Sequence, residues 1–300
     1  MKTVSKKKIK SVKRISKKEA VVLYSGGLDS RLVVRLLQKK GYRIHALYFD
    51  LPFGCGCCNI YCNFNFAQKE GVKLKIYDCK KGKLLKDYLE VIKNPKHGTG
   101  TSINPCKDCK IFMFRIAKEY ADKHKIKVIA TGEVLGQRPM SQTRHAMTII
   151  DKQLGFKLTR PLTDMGIQGR NRQVQMKLAK KFKIKYPNPA GGCLLCEKIP
   201  GKKIKFLLDK NLLDEKNLQL AMLARHFYIS EAWFVVGRDE KENRIIETFP
   251  SNNRILSGRG KPAVFYDKST ADVWKTALEL QKVYSKGSKV RSGKFEKLGL

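Results

Sequence analysis

Residues 20–30 read AVVLYSGGLDS, a short apolar run that leads into a turn with two adjacent glycines. The run contains two valines and no charged residue, which predicts a buried parallel strand. Beyond the glycines, apolar residues at 32, 33, 36 and 37 recur at helical spacing up to Gly41. A glycine turn between a strand and a helix lets backbone N–H groups approach a phosphate at the positive end of the helix. The segment therefore predicts a phosphate-binding loop.

The same alternation of strand and helix continues along the chain. Further strands are predicted at 43–49, 72–77, 127–130 and 158–162, with helical patterns at 64–70, 83–92, 109–123 and 172–182. This order is typical of a parallel α/β sheet with crossover connections. Ligands bind such sheets at the carboxyl ends of the strands. We therefore expect the glycine turn, the loop after Asp50 and the segment 131–132 to meet at one site.

The character of the sequence changes near residue 200. Beyond it, strands are predicted at 233–238, 245–246 and 263–266, followed by a helix over 270–284. The predicted organisation is a flexible basic arm over 1–18, a larger α/β domain over 19–200 and a smaller α+β domain over 201–300.

Charge is the strongest feature of the composition. The chain carries 63 Lys and Arg against 26 Asp and Glu, a net charge of +37. Such an excess attracts polyanions, and nucleic acid is the expected partner. The first 18 residues hold nine Lys or Arg and no apolar core, unlike a secretory signal. No apolar run approaches the roughly 18 residues of a membrane span, so we expect a cytoplasmic protein without a membrane partner.

Nine cysteines are many for a protein without a secretory signal, which favours metal ligands or redox-active thiols over disulfides. Cys79 stands alone and is expected to be a buried small residue. The other eight fall into three groups: Cys55, Cys57, Cys58 and Cys62; Cys106 and Cys109; Cys193 and Cys196. A C-x-x-C pair at a helix start brings two sulfurs together, and the helix end is expected to lower their pKa.

The turn over 25–30 resembles the SGGxDS signature of the PP-loop, which is found in the N-type ATP pyrophosphatases. All five fixed positions match, between a strand and a helix as in that superfamily. The resemblance implies an adenine nucleotide alpha-hydrolase-like sheet of the PP-loop/HUP type over 19–200. It also implies binding of ATP with Mg²⁺, cleavage to AMP and pyrophosphate, and a catalytic role for Asp29. The implied ATP-binding residues of the loop are Ser25, Gly26, Gly27, Asp29 and Ser30.

Two further segments resemble the 4-thiouridine synthetases. Residues 130–137 read ATGEVLGQ and 141–143 read SQT, similar to their TGE-x-LGQ…SQT stretch, although 138–140 depart from it. The RPL at 160–162 matches a motif of the same relatives. The resemblance adds Thr131, Gly132 and Gln137 to the ATP site. It implies a tRNA thiolation enzyme that adenylylates a uridine carbonyl and replaces its oxygen with sulfur, at C2 or C4.

The C-x-x-C pair and one distant cysteine resemble the three-cysteine set of the iron–sulfur-dependent tRNA thiolation enzymes. That resemblance implies a [4Fe–4S] cluster on Cys106, Cys109 and Cys193, with Cys109 and Cys193 catalytic. Either Cys193 or Cys196 could be the third ligand of the cluster. Two alternatives to the cluster also stay open: Zn²⁺ on all four of Cys106, Cys109, Cys193 and Cys196, or no metal, with one thiolate as persulfide carrier and a second as its resolving partner. The sulfur donor is equally open between sulfide, a persulfide and a sulfur-carrier protein.

Residues 237–243 resemble the G-R-x-x-x-x-N motif of the RNA-binding NFACT-R domain, which implies that Arg238 and Asn243 contact RNA. A charged turn between strands is the structural alternative. The basic stretch 282–297 is expected to add phosphate contacts. Other functions that stay open are a different PP-loop tRNA-modifying or amidating ligase and an RNA-binding protein with a degenerate nucleotide site. The sequence leaves the oligomeric state open, a homodimer included.

Overall fold

A four-stranded parallel sheet forms the centre of the first part of the protein. The computed structural model describes residues 18–54, 60–137, 140–188, 193–289, 295 and 297. The strand order is β3-β2-β1-β4, and every neighbouring pair is parallel. The strands are β1 Glu19–Leu23, β2 Arg43–Asp50, β3 Lys73–Asp78 and β4 Val128–Thr131. The predicted parallel α/β sheet is confirmed.

Helices cover both faces of this sheet, which explains why β1 has no polar face. Ala20 and Val22 pack into one apolar cluster, and Val21 packs into the cluster on the opposite face. All three are fully buried. The helices are α1 Leu28–Lys39, α2 Ile60–Lys69, α3 Gly82–Lys93, α4 Cys106–Lys123, α5 Arg144–Leu154, α6 Pro161–Asp164 and α7 Gln173–Lys181.

The order of the strands creates a crevice between β1 and β4. The chain leaves β1 toward β2 on one side, and β4 pairs with β1 on the other. In open parallel sheets this reversal separates the loops at the carboxyl ends of two neighbouring strands and forms the ligand site. The glycine turn follows β1 and Gly132 follows β4, so both lie at this crevice.

The predicted strand over 158–162 is wrong. Only Thr159 pairs with the sheet, in a single parallel bridge to Ala130. Pro161 then starts α6, where its fixed φ suits the first helical position and its missing N–H costs no hydrogen bond.

The second part of the described chain is built on a four-stranded antiparallel sheet with the order β5-β6-β8-β7. Its elements are α8 Lys198–Asp209, α9 Leu218–Ala221, β5 Arg225–Ile229, β6 Ala232–Val236, α10 Glu240–Ile246, β7 Arg254–Ile255, β8 Val264–Tyr266 and α11 Ala271–Val283.

The predicted strand at 245–246 is wrong, because these residues end α10. The carboxylate of Asp239 caps the start of this helix and accepts from the Glu242 N–H at 2.9 Å. This cap satisfies one of the free N–H groups of the first turn and favours a helix over a strand.

One apolar cluster joins the two parts. It contains Tyr88 of α3 and Leu195, together with Ile204 of α8 and Trp233 and Phe265 of the antiparallel sheet. The domain boundary at residue 200 stays a prediction, but α3 of the first part and the antiparallel sheet of the second share this core.

Some predictions fall on residues outside the described part: most of the basic arm, Cys55, Cys57 and Cys58, and most of 290–297. Within the described part, no helix combines the length and the apolar character that a membrane crossing requires.

Candidate active site

The phosphate loop is held by hydrogen bonds within its own residues. Gly26 has a φ of +79°, a conformation that favours glycine. The Ser25 hydroxyl donates to Ser30 Oγ at 3.3 Å, and Ser30 donates to the Gly27 carbonyl at 3.0 Å. Gly27 caps the N-terminus of α1 without a side-chain bond, so the first N–H groups of the helix are available for an anion.

Arg31, in the first turn of α1, fixes the loop from behind. The side chain is buried, and Nε donates to the Gly26 carbonyl at 2.6 Å while Nη1 donates to the Lys185 carbonyl at 2.7 Å. Nη2 donates to Cys62 Sγ at 3.0 Å, and the guanidinium lies 4.6 Å from the centroid of the Phe66 ring. Sequence reasoning missed this residue, because an arginine on a helix beside a loop usually points to solvent.

Asp29 is the acidic residue at the start of α1. Its Oδ1 is buried and has no hydrogen-bond partner among the described residues. Burial raises the pKa of this carboxyl, against the opposing effects of the Arg172 charge and the Gln175 amide. The structure therefore brings two residues of the α7 region to the phosphate loop, and neither was predicted as a site residue.

Gly132 packs directly against the phosphate loop. A Cβ at this position would lie 2.8 Å from Ser30 N and 2.9 Å from the Asp29 carbonyl carbon. Such distances are too short for any side chain, so a glycine is required here. This contact places the segment after β4 beside the start of α1, as the sequence predicted.

Glu133 links the segment 130–137 to the RPL motif. Its carboxylate is buried, accepts from Arg160 Nε at 2.9 Å and also pairs with Lys110. Burial disfavours the charge, but the two cations outweigh this effect and lower the pKa of Glu133. Arg160 also binds Asp151 with two hydrogen bonds of 2.7 and 2.9 Å. The two motifs are therefore parts of one charged network.

Gln142, from the SQT stretch, ties this segment into a closed loop. Its Oε1 accepts from Val134 N–H at 2.7 Å, and its carbonyl accepts from Gly136 N–H at 2.8 Å. In the described part of the chain, the buried Gln137 Nε2 and Ser141 Oγ have no partner. The hydrogen-bonding capacity of these two enclosed atoms is therefore not used within the described residues.

The four cysteines of the two C-x-x-C pairs lie together beside this network. Cys106 and Cys109 occupy the first turn of α4, directly before Lys110, the partner of Glu133. Cys109 and Cys193 pack against the same apolar cluster, and Cys196 bonds to Asn104, which lies two residues before Cys106. The structure thus places the two C-x-x-C pairs near each other.

Three of these thiols also have a neighbour that holds them in place. Cys109 donates to the Tyr88 hydroxyl at 3.8 Å and Cys193 donates to the Phe53 carbonyl at 3.1 Å. Cys196 Sγ accepts from the Asn104 amide. Phe53 lies three residues after the end of β2, so Cys193 is docked against the chain that directly follows this strand.

The expected lowering of the thiol pKa is not found for three of these cysteines. Burial raises the pKa of Cys109 and of Cys193 to about 12, and it also raises the pKa of Cys106. The position of Cys106 and Cys109 at the start of a helix does not overcome the loss of water around them.

Among the described residues, no three His, Cys, Asp or Glu side chains are arranged to hold a metal ion. The donor set nevertheless suits an iron–sulfur cluster or Zn²⁺, because both take thiolate ligands. Both groups bind thiolates, so their binding would displace the thiol protons.

Arg238 and Asn243 form a compact structural unit. Arg238 pairs with Glu242, and Asn243 Oδ1 accepts from Ala263 N–H at 2.9 Å. A Cβ at Gly237 would overlap Asn243 Oδ1, so the glycine makes room for this amide. The contacts explain the spacing of glycine, arginine and asparagine in structural terms. RNA contact by Arg238 and Asn243 stays a prediction.

A family model described as thiamine biosynthesis protein (ThiI) matches residues 15–182, more than half of the chain. The chain belongs to this family. The match includes the phosphate loop, the segment 130–137 and the C-x-x-C pair of α4. It ends before Cys193, so the second C-x-x-C pair lies outside the ThiI match.

Curated relatives of the chain are named as tRNA sulfurtransferases. It is 31% identical over 147 residues to a "Probable tRNA sulfurtransferase" of Finegoldia magna, covering 47% of this chain and 35% of that protein. It is 26% identical over 245 residues to a tRNA sulfurtransferase of Shewanella denitrificans, covering 76% of this chain and 48% of the relative. The chain thus spans about a third to a half of the length of these curated relatives.

Among solved structures, a 4-thiouridine synthetase in complex with RNA and bound ATP aligns with 68% of this chain and 52% of its own. The sequence identity is 21% and the TM-score is 0.43.

Proposed function

We propose that this member of the ThiI family is an ATP-dependent tRNA thiolation enzyme, which replaces a uridine carbonyl oxygen with sulfur. The observation that carries the proposal is the short path from the phosphate loop to the cysteines. Gly132 packs against Ser30, and the adjacent Glu133 pairs with Lys110, one turn after Cys106. A nucleotide on the loop and a sulfur on these cysteines would share one crevice.

In the first step, the uridine carbonyl oxygen attacks the α-phosphorus of ATP and the bond to the β,γ-pyrophosphate breaks. The N3–H proton of the base leaves as the oxygen becomes a leaving group. The N–H groups at the start of α1 would bind the phosphates, together with Ser25, Gly26, Gly27 and Ser30. Mg²⁺, when bound, would neutralise charge on the departing pyrophosphate.

In the second step, sulfide attacks the activated carbon, the carbon–oxygen bond breaks and AMP leaves. Cys106, Cys109 and Cys193 would hold a [4Fe–4S] cluster, which when bound would supply an open iron for the sulfur donor. With a persulfide donor, a second thiol would supply the two electrons by forming a disulfide. Thr131 and Gln137, at the same crevice, would contact the adenylyl group.

The large positive charge supports folded tRNA as the substrate, because it favours binding to the phosphate backbone. The exposed side of Arg238 would add a contact from the C-terminal part. A sulfur donor, either sulfide, a persulfide or a sulfur-carrier protein, completes the set of partners.

ATP–pyrophosphate exchange with and without tRNA tests the proposal. We expect exchange that depends on tRNA and is lost in Asp29→Ala. Exchange that requires ammonia instead of tRNA would indicate an amidating ligase. Binding of RNA without any exchange would indicate an RNA-binding protein with a degenerate nucleotide site.

Anaerobic purification with iron, sulfide and zinc analysis tests the metal. We expect about four iron and four sulfide per chain, and their loss in Cys109→Ser. Stoichiometric zinc without iron would contradict the cluster, and absence of both metals would favour the persulfide route.

A further inference from the structure

Helix α7 packs against α1 and brings its first turn to the phosphate loop. Ala179 is fully buried in the same apolar cluster as Leu32 and Val33 of α1. This packing fixes the position of α7 relative to Asp29, the first acidic residue of α1. Gln175, one turn before Ala179, therefore lies beside the carboxyl group of Asp29, near enough for its amide to oppose the rise in the pKa of that carboxyl, although no hydrogen bond of acceptable geometry joins the two side chains.

The Gln175 side chain is an unmatched polar group in the interior. The residue is 0% exposed, and neither Oε1 nor Nε2 has a hydrogen-bond partner among the described residues. Asp29 Oδ1 is likewise buried and without a partner in that part of the chain. Buried polar groups in native proteins are almost always hydrogen-bonded. The three unmatched atoms here, Oδ1 of Asp29 and Oε1 and Nε2 of Gln175, therefore require an explanation.

Packing alone does not explain a glutamine at this position. An unmatched buried polar atom costs about 1–3 kcal/mol, whereas methionine would fill a similar volume without that cost. The neighbouring Gln173 is exposed on the same helix and has no such constraint. The position of Gln175 therefore points to a role in the state that binds ligand.

We infer that Gln175 is a positioning residue for Asp29. When ATP occupies the phosphate loop, Gln175 Nε2–H donates to Asp29 Oδ1 and holds the other carboxylate oxygen toward the nucleotide. The inference rests on the proposed function, since it assigns Asp29 to the ATP site. Gln175 does not touch the nucleotide, because its amide is fully enclosed, and it acts only through Asp29.

A double-mutant cycle in the full chain tests this role. Gln175→Met removes the amide and Asp29→Ala removes its acceptor, while Gln173→Met is the matched control on the same helix. We expect Gln175→Met to lower kcat/KM for tRNA-dependent ATP–pyrophosphate exchange by about 10-fold or more, a typical loss for a residue that orients a catalytic group. Its Tm should equal or exceed that of the wild type, and Gln173→Met should leave both quantities unchanged.

The decisive comparison is the double variant. Because Asp29→Ala leaves no exchange to measure, the double variant is compared with Asp29→Ala by titration calorimetry with ATP and Mg²⁺. Gln175 acts only through Asp29, so adding Gln175→Met to Asp29→Ala should cause no further loss of ATP affinity. A further loss of ATP affinity of about 10-fold in the double variant would overturn the inference, as would wild-type exchange by Gln175→Met alone. Gln175→Leu is the second variant if the methionine chain fails to fold. Failure of both to fold would also overturn it, since it would give Gln175 a purely structural role.

Titration calorimetry with ATP and Mg²⁺ separates this inference from the proposed function. A wild-type chain that binds ATP without any pyrophosphate exchange would contradict the proposed function alone. In that case Gln175→Met and Asp29→Ala should still change the ATP affinity in the same direction, and the two effects should not add. Independent effects on ATP affinity would overturn the role of Gln175.

Discussion

At the scale of single residues, Gly132 connects the two halves of the crevice. A Cβ at this position would overlap backbone atoms of Asp29 and Ser30, which no side-chain rotation can relieve. We therefore predict that Gly132→Ala moves the phosphate loop and weakens ATP binding about 10-fold or more, with a loss of roughly 1–3 kcal/mol in the free energy of unfolding. Titration calorimetry and urea unfolding measure the two effects.

Gly258→Ala is the control for this substitution, because a Cβ at Gly258 meets no atom within 4 Å. We expect it to leave both quantities within the error of the measurement. Wild-type ATP affinity in Gly132→Ala would contradict the close packing of the two loops.

The second prediction at the scale of single residues concerns Arg31. Lysine keeps the charge but has no planar fork, so it cannot bond to the Gly26 and Lys185 carbonyls at once. We predict that Arg31→Lys lowers the free energy of unfolding by about 1–3 kcal/mol and weakens ATP binding. Arg35→Lys, at a more exposed position on the same helix that pairs with Glu70, should change both much less. Equal effects of the two substitutions would refute the role of Arg31.

Site residues could be predicted from the sequence where their role depends on local conformation, and not where it depends on a distant contact. Gly26 and Gly27 were predictable, because a glycine turn between a strand and a helix has few other uses. Arg31 and Gln175 were not, since their significance depends on partners that are distant in the chain. For Arg31 the partner is the carbonyl of Lys185, and for Gln175 it is the carboxyl of Asp29.

At the scale of secondary-structure elements, His226 connects β5 to β6. Its Nδ1 accepts from Trp233 Nε1 at 3.0 Å, and its Nε2 bonds to the Leu223 carbonyl at 2.7 Å. Burial, reinforced by the charge of Lys203, lowers the pKa of His226 to about 3. In the unfolded chain the pKa is about 6.5. Between these two values the unfolded chain binds more protons, so stability falls as the pH drops below about 6.5.

The size of this effect follows from the two pKa values. Protonation of His226 in the unfolded chain should remove about 2 kcal/mol of stability between roughly pH 7 and pH 5. We predict that His226→Gln, which cannot titrate, loses about 2 kcal/mol less than the wild type over this range. Urea unfolding at both pH values measures the difference, to which groups that titrate alike in both chains do not contribute. Parallel pH profiles would contradict a buried neutral His226.

The elements themselves were predictable where apolar periodicity and burial agreed, as in β1 and α4. The prediction failed where a short apolar run fits either a strand or a helix. Residues 245–246 are apolar and β-branched, but the cap at Asp239 starts a helix that includes them. The run at 158–162 contains Pro161, whose ring suits the start of a helix better than a sheet.

At the scale of the whole molecule, one apolar cluster joins the first part of the chain to the antiparallel sheet. Tyr88 and Leu195 lie in the first part, and Ile204, Trp233 and Phe265 follow in the second. Because this core cannot be divided without exposing large side chains, we predict a single thermal transition for the full chain. Ile204→Ala should lower the stability of both parts together, by about 2–5 kcal/mol. Two separate calorimetric transitions would instead support two independent domains.

The sequence predicted the change of architecture near residue 200, because helix and strand patterns change there. It could not predict the shared core, because Tyr88 and Trp233 are far apart in the chain. The grouping of Cys106, Cys109, Cys193 and Cys196 was predicted only through a family resemblance. Its physical basis is the docking of Cys193 on Phe53 and of Cys109 on Tyr88.

Formation of thiouridine from ATP tests the central claim most directly. The full chain, purified anaerobically, is incubated with unmodified tRNA, ATP, Mg²⁺ and sulfide, and the tRNA nucleosides are analysed by mass spectrometry. We predict thiouridine, with one AMP and one pyrophosphate released for each sulfur incorporated, and none of the three products in Asp29→Ala. Cleavage of ATP to ADP and phosphate, or AMP formation with no thiouridine, would contradict the account.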